Sequence, residues 1–137
     1  MTNAFPSAVE TERDVSSLSA FKTPAKSAYF LNVGTRADLP ILSEAVAMAK
    51  SAGLPVAYLG DGTNCLFAFD RFPGLLVKNS LSGFQYFPHD GPLSPVRIAA
   101  ERFEVHSAEK VHSVSLLLAT QGFTGLVPWI GLPGSFG

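Results

Sequence analysis

The segment Leu59-Gly60-Asp61-Gly62-Thr63-Asn64 has the residue types best suited to chemistry. Two glycines flanking Asp61 permit positive φ and bring backbone N–H groups within reach of an anion, while Thr63 and Asn64 add side-chain donors. Such a loop can hold a phosphate without lysine or arginine. The same letters also spell a plain Asp-Gly hairpin turn. They do not spell the dinucleotide fingerprint of doubly wound sheets, where a helix opens at once, because Cys65–Phe69 followed by Pro73 reads as a strand. A second glycine loop, Gly131-Leu132-Pro133-Gly134-Ser135-Phe136-Gly137, is by itself a Pro-Gly turn signal. Together the two loops could grip the two phosphates of one pyrophosphate from opposite sides.

The other reactive residues offer less. His89, His106 and His112 lack metal-ligand spacing and read as surface or half-buried histidines. Cys65 is the only cysteine, so neither an internal disulfide nor a cysteine-rich zinc site is available, and a small buried residue on a strand is its simplest role. Ser135 stands in no Gly-x-Ser-x-Gly elbow, and the carboxylates are scattered. The sequence therefore assigns neither a catalytic residue nor a metal ligand.

The elements that must position the loops follow from periodicity. Tyr29–Val33 is a short apolar run ended by Gly34; Asp38 suits a helix cap, Pro40 a first turn, and Leu42, Ala45, Val46 and Ala49 recur at helical spacing before Gly53. Val56–Leu59 is another apolar run, so residues 29–59 spell a βαβ unit with two parallel strands. Beyond it, Cys65–Phe69, Leu75–Lys78, Gly83–Phe87 and Val96–Ala100 read as short, mostly antiparallel strands, with Pro73-Gly74 as a separator. A second helix is expected from Ala108 to Gln121, capped by Ser107, with Val111, Val114, Leu117 and Leu118 on one face and Gly122 as terminator. Residues 1–20 show no sustained period and read as a mobile leader or a short first-turn helix.

The chain has 137 residues, 47% of them hydrophobic, enough for one ordinary core. Ten Lys and Arg against eleven Asp and Glu leave no basic stripe for nucleic acid. The amino terminus reads as neither signal peptide nor lipidation site, so a cytoplasmic location is expected. From Val111 to Gly137 there is no Asp, Glu, Lys or Arg. Glycines and prolines break this stretch too often for a membrane span; it either completes the core or is covered by a ligand or second domain.

The order of these segments, with Gly60-Asp61-Gly62-Thr63-Asn64-Cys65-Leu66, then Thr124-Gly125-Leu126, then Gly131–Gly137, resembles the UDP-N-acetylenolpyruvoylglucosamine reductases, also called UDP-N-acetylmuramate dehydrogenases. The resemblance covers about residues 18–137 and only the amino-terminal, FAD-binding part of that enzyme. It implies an α+β fold of the vanillyl-alcohol oxidase and p-cresol methylhydroxylase type, two subdomains with the flavin between them. A leader would occupy residues 1–20, a βαβ subdomain 21–64 and an antiparallel sheet and helix subdomain 65–137, with the substrate domain absent. By matching position, Leu59, Gly60, Asp61, Gly62, Thr63, Asn64 and Leu66 would line one side of FAD, with Thr63 in place of the family's serine. Leu132, Pro133, Gly134 and Ser135 would form the facing wall, with Ala100 and Gly125 nearby. The family's Ala-Gly-Ala-Gly stretch falls at Ala99-Ala100-Glu101-Arg102, which lacks the glycines, and its early Asn-Thr-Phe appears as Ser19-Ala20-Phe21.

The implied activity is that of a flavoprotein oxidoreductase of peptidoglycan and cell wall biogenesis. NADPH reduces FAD, and the reduced flavin reduces the enolpyruvyl group of the UDP-sugar to UDP-N-acetylmuramate. The family's serine, arginine and glutamate for that step match nothing in this chain, which is therefore expected to be a truncated or split FAD-binding portion whose partner is FAD and a missing carboxyl-terminal half. The other expectation is a non-catalytic relic of the fold that binds a ligand or another protein.

Overall fold

The computed structural model describes residues 4–87 and 102–137. Four strands form a mixed sheet: β1 (Glu10–Asp14), β2 (Lys26–Val33), β3 (Val56–Leu59) and β4 (Arg71–Asn79), in the spatial order β1-β2-β4-β3. Helix α1 (Leu39–Ser51) connects β2 to β3. A second sheet pairs β5 (Phe84–Phe87) with β6 (Arg102–Val105) in antiparallel register, and helix α2 (Val111–Thr120) follows. Two sheets, one mixed and one antiparallel, with two helices make an α+β arrangement.

The expected strand-helix-strand unit is present, and β2 and β3 run parallel, but they do not touch. Strand β4 lies between them, parallel to both. Leu75–Lys78, assigned from sequence to the antiparallel half, is thus the middle of the first sheet. Its neighbour Pro73-Gly74 is not a separator but a bulge within one continuous strand, since Ser27 pairs with Phe72 and Tyr29 with Leu75. Proline has no N–H for the ladder, so a bulge suits it, and Gly74 lies so close to the Pro55 carbonyl that a Cβ there would collide. That carbonyl accepts the N–H of Leu75 at 2.9 Å and ties the start of β3 to β4.

Both faces of this sheet are covered, which is why the middle of β2, Ala28–Leu31, reads as an apolar run. Leu31, Val33, Leu75 and Val77 pack against Ala45 and Ala49 of α1. Phe30 and Leu76 face the other way and pack with Val15, Ala25, Leu59 and Phe67. Cys65–Phe69, expected to be a strand, is irregular chain that supplies this second cover. Its backbone groups are taken by side chains: the Ser19 hydroxyl donates to the Cys65 carbonyl and that of Thr23 to the Phe67 carbonyl. The stretch read as a leader or first-turn helix instead contains β1, which pairs antiparallel with β2.

The helix ends also differ in detail. Asp38 stands before α1, yet its carboxylate turns back to accept the N–H groups of Gly34 and Thr35 at 3.0 and 2.8 Å. Helix α2 begins three residues later than expected, because Ser107 accepts a hydrogen bond from Asn79 at 2.7 Å rather than capping a helix. Val114, Ser115 and Leu118 are its buried residues, while Leu117, expected on the buried face, is 42% exposed. Gly122 has φ +89 just past the helix end, as a terminator requires. The strand expected at Val96–Ala100 lies outside the described residues, and β6 went unanticipated.

Candidate functional site

Strand β3 ends at the buried Leu59, and the chain turns at Gly60 into the first glycine loop. Gly62 has φ +70 and packs against the Leu18 carbonyl, so this position needs glycine for conformation and for space. Its own carbonyl accepts the N–H of Ala20 at 3.1 Å. The loop is therefore seated from below by residues 18–20. The N–H groups of Asp61, Gly62, Thr63 and Asn64 have no hydrogen-bond acceptor among the described residues, and the side chains of Thr63 and Asn64 are exposed.

The second glycine loop comes to the same place. Ser135 forms an antiparallel bridge with Lys110 just ahead of α2, through bonds from Val111 N to the Gly134 carbonyl (3.2 Å) and from Phe136 N to the Glu109 carbonyl (3.1 Å). This places Gly134, at φ +106, beside Thr63: a Cβ on Gly134 would lie 3.6 Å from the Thr63 Oγ1. A Cβ on Gly60 would lie 3.8 Å from the Ser135 Oγ and 2.8 Å from the Gly137 carbonyl. The N–H groups of Gly134 and Ser135 likewise have no acceptor among the described residues. Two loops some seventy positions apart thus meet, each carrying backbone donors of the kind that can hold an anion.

Two lysines belong to this cleft, and spacing gave no sign of them. Lys78, at the end of β4, donates from Nζ to the Gly60 carbonyl, and Lys110 forms an ion pair with Asp61. Burial, the largest influence, holds the Lys78 ammonium below the usual lysine range; the Asp61 carboxylate opposes that and Lys110 adds to it. Both lysines lie next to elements the sequence did reveal, but their meeting with residues 60 and 61 is a long-range contact with no local period.

The other residues singled out from sequence are spread about. Leu66 is 59% exposed beyond the first loop, and Leu132 and Pro133 are exposed on the second. Gly125 lies in the turn after α2 with open space where a Cβ would be, and Ala100 lies outside the described residues. Cys65 is half-buried and His106 hydrogen-bonds the Ser82 carbonyl, while His112 accepts the N–H of Gly131 and so helps seat the second loop. No group of three or more His, Cys, Asp or Glu side chains among the described residues could hold a metal, and no described helix is long and apolar enough to cross a membrane.

Fold and site together define an α+β chain in which two glycine loops meet beside two lysines. Comparison with known proteins gives that class a family context. The chain is homologous over its whole length to UDP-N-acetylenolpyruvoylglucosamine reductases and corresponds to their amino-terminal part. The protein of that name from Chlamydia trachomatis serovar L2 is 31% identical over 140 residues, covering 100% of this chain and 42% of the relative. That from Chromobacterium violaceum is 32% identical over 124 residues, 90% of this chain and 33% of the relative. The chain thus spans about two fifths or less of the length of these curated relatives. No protein-family model matches the chain.

Proposed function

We propose that this chain is the flavin-binding part of a UDP-N-acetylenolpyruvoylglucosamine reductase, and that its cleft holds FAD by the pyrophosphate. The observation that carries the reading is the convergence of Gly60–Asn64 and Gly134–Ser135 beside Lys78 and Lys110, with six N–H groups that have no acceptor among the described residues. A pyrophosphate carries two negative charges and several acceptor oxygens. Backbone donors and ammonium groups are the complementary set, and the lack of side chains at Gly60 and Gly134 lets the two loops that carry the donors come close to each other.

The residues that would hold the group are Asp61, Gly62, Thr63, Asn64, Gly134 and Ser135 through their N–H groups, and Lys78 and Lys110 through charge. When bound, FAD supplies hydride acceptance and donation, which in this reading links NADPH oxidation to reduction of the enolpyruvyl UDP-sugar. The chain's own share is binding and orientation. Leu18 and Ala20 fix the floor of the cleft, and β3 and α2 deliver its two walls.

FAD titration of the purified chain tests this, followed by flavin fluorescence and thermal midpoint. A ligand bound only by the native state stabilises it by about 2.7 kcal/mol at a hundredfold excess over Kd. Saturable binding with a raised midpoint is the expected result; unchanged fluorescence and midpoint at a hundredfold molar excess would overturn the reading.

A further inference from the structure

We propose that Asp61 and a bound diphosphate compete for the ammonium of Lys110, which makes Lys110 the affinity-determining cation of the cleft and Asp61 a carboxylate that opposes anion binding from inside it. The inference rests on the cleft being a phosphate site and adds to that reading a residue pair acting in opposite senses. Lys110 is the residue that belongs to both walls. Its backbone is bridged to Ser135 in the second loop, and its side chain is paired with Asp61 in the first, forty-nine positions away. Half of the Lys110 side chain is exposed, so an anion arriving from solvent can reach the ammonium.

Asp61 is the unexpected member. Its carboxylate is only 22% exposed and sits within a loop whose N–H groups are poised for negative charge. A carboxylate there repels a phosphate and occupies the cation that would attract one. Lys78 offsets this only through its charge, since its ammonium N–H groups are directed at the carbonyls of Gly60 and Asn79. Glu109, the other acidic neighbour, is turned away: its carboxylate accepts the N–H of Gly83 at 2.7 Å. The pair is thus the adjustable part of an otherwise backbone-built cleft. An anion that takes Lys110 leaves Asp61 to water, and the ion pair between the walls is replaced by contacts of both walls to one ligand.

The test sets the two partners of one ion pair against each other. If the pair merely held the loops together, removing either partner would weaken binding. Competition requires opposite signs. In the 137-residue chain, binding of inorganic pyrophosphate and of FAD is measured by calorimetry for the native protein and for Lys110→Met, Lys110→Arg and Asp61→Asn. Lys110→Met is expected to weaken both ligands about tenfold. Asp61→Asn is expected to tighten both about threefold, and Lys110→Arg, which keeps the charge, to recover affinity relative to Lys110→Met. Should Lys110→Met fail to fold, Asp61→Asn decides alone, tightening in support and weakening or no change against. Variant effects of the same sign, or none, with native FAD binding intact overturn this inference alone. Pyrophosphate binding with opposed variant effects but no FAD binding supports it and overturns the flavin reading. A native chain that takes neither ligand overturns both.

Discussion

Arg71, at the start of β4, reaches across β2 to Glu12 in β1, with its Nε 3.0 and 3.1 Å from the two carboxylate oxygens and a terminal nitrogen on Oε1 as well. Strand β1 is exposed along its length and makes its sheet contacts through β2 alone, so this fork is a second tie for an edge strand. The hydrogen bond from Arg71 holds the Glu12 carboxyl below its ordinary value. A depressed carboxylate contributes stability that is present above its unfolded pKa and is lost as pH falls through the folded one. Amide exchange of residues 10–14 is therefore expected to accelerate relative to β2 as pH drops below about 4.5, after correction for intrinsic rates. Glu12→Gln should show the faster exchange already at pH 7 and remove the step.

Asp38 gives a second acid-sensitive element through different partners. The N–H groups of Thr35 and Gly34 and the Thr35 hydroxyl donate to its carboxylate and hold its pKa down. The same sign applies: the turn leading into α1 is supported above the ordinary aspartate range and loosens as pH falls below it. Asp38→Ala is expected to lower the thermal midpoint at pH 7 and to lose that difference near pH 3. A midpoint equal to native at pH 7 would contradict the assignment.

The buried face of α2 can be checked by a pair of adjacent substitutions. Leu118 is 3% exposed and Leu117 42%. Deleting a buried leucine side chain costs about 2–5 kcal/mol, and an exposed one about 0.5 kcal/mol or less. Leu118→Ala should therefore lower the urea midpoint far more than Leu117→Ala. Equal losses would restore the face read from sequence.

These cases show what the sequence could and could not carry. Strand β2, helix α1 and the Gly53 and Gly122 stops were legible because a buried run, a helical period and a positive-φ glycine are local signals. Strand β1 was not, since the charged, exposed segment Glu10–Asp14 has no apolar alternation to reveal it. The place of β4 between β2 and β3 is topology, and the Pro73-Gly74 bulge looks like a breaker until its register is known. Of the site, both glycine loops were readable as candidates. Lys78 and Lys110 were not, because each meets the first loop through a contact 18 or 49 residues away in the chain.

Lys78 supplies a prediction in which stability and binding move in opposite directions with pH. Its folded pKa is lowered chiefly by burial, so within the window just below the ordinary lysine pKa of about 10.4 the unfolded chain binds more protons than the native one. Stability attributable to this group therefore rises as pH increases through that window. The neutral amine still carries N–H bonds for the Gly60 carbonyl, so the end of β4 keeps its tie to the first loop. What the cleft loses is a positive charge. Affinity for FAD or pyrophosphate is accordingly expected to fall as pH rises toward the ordinary lysine range, while the group's contribution to stability grows. Lys78→Met should remove that part of both pH dependences and bind less tightly at pH 7. Because Lys110 is more exposed, Lys110→Met should leave the Lys78-linked alkaline rise in stability in place, and so separates the two ammonium groups by experiment.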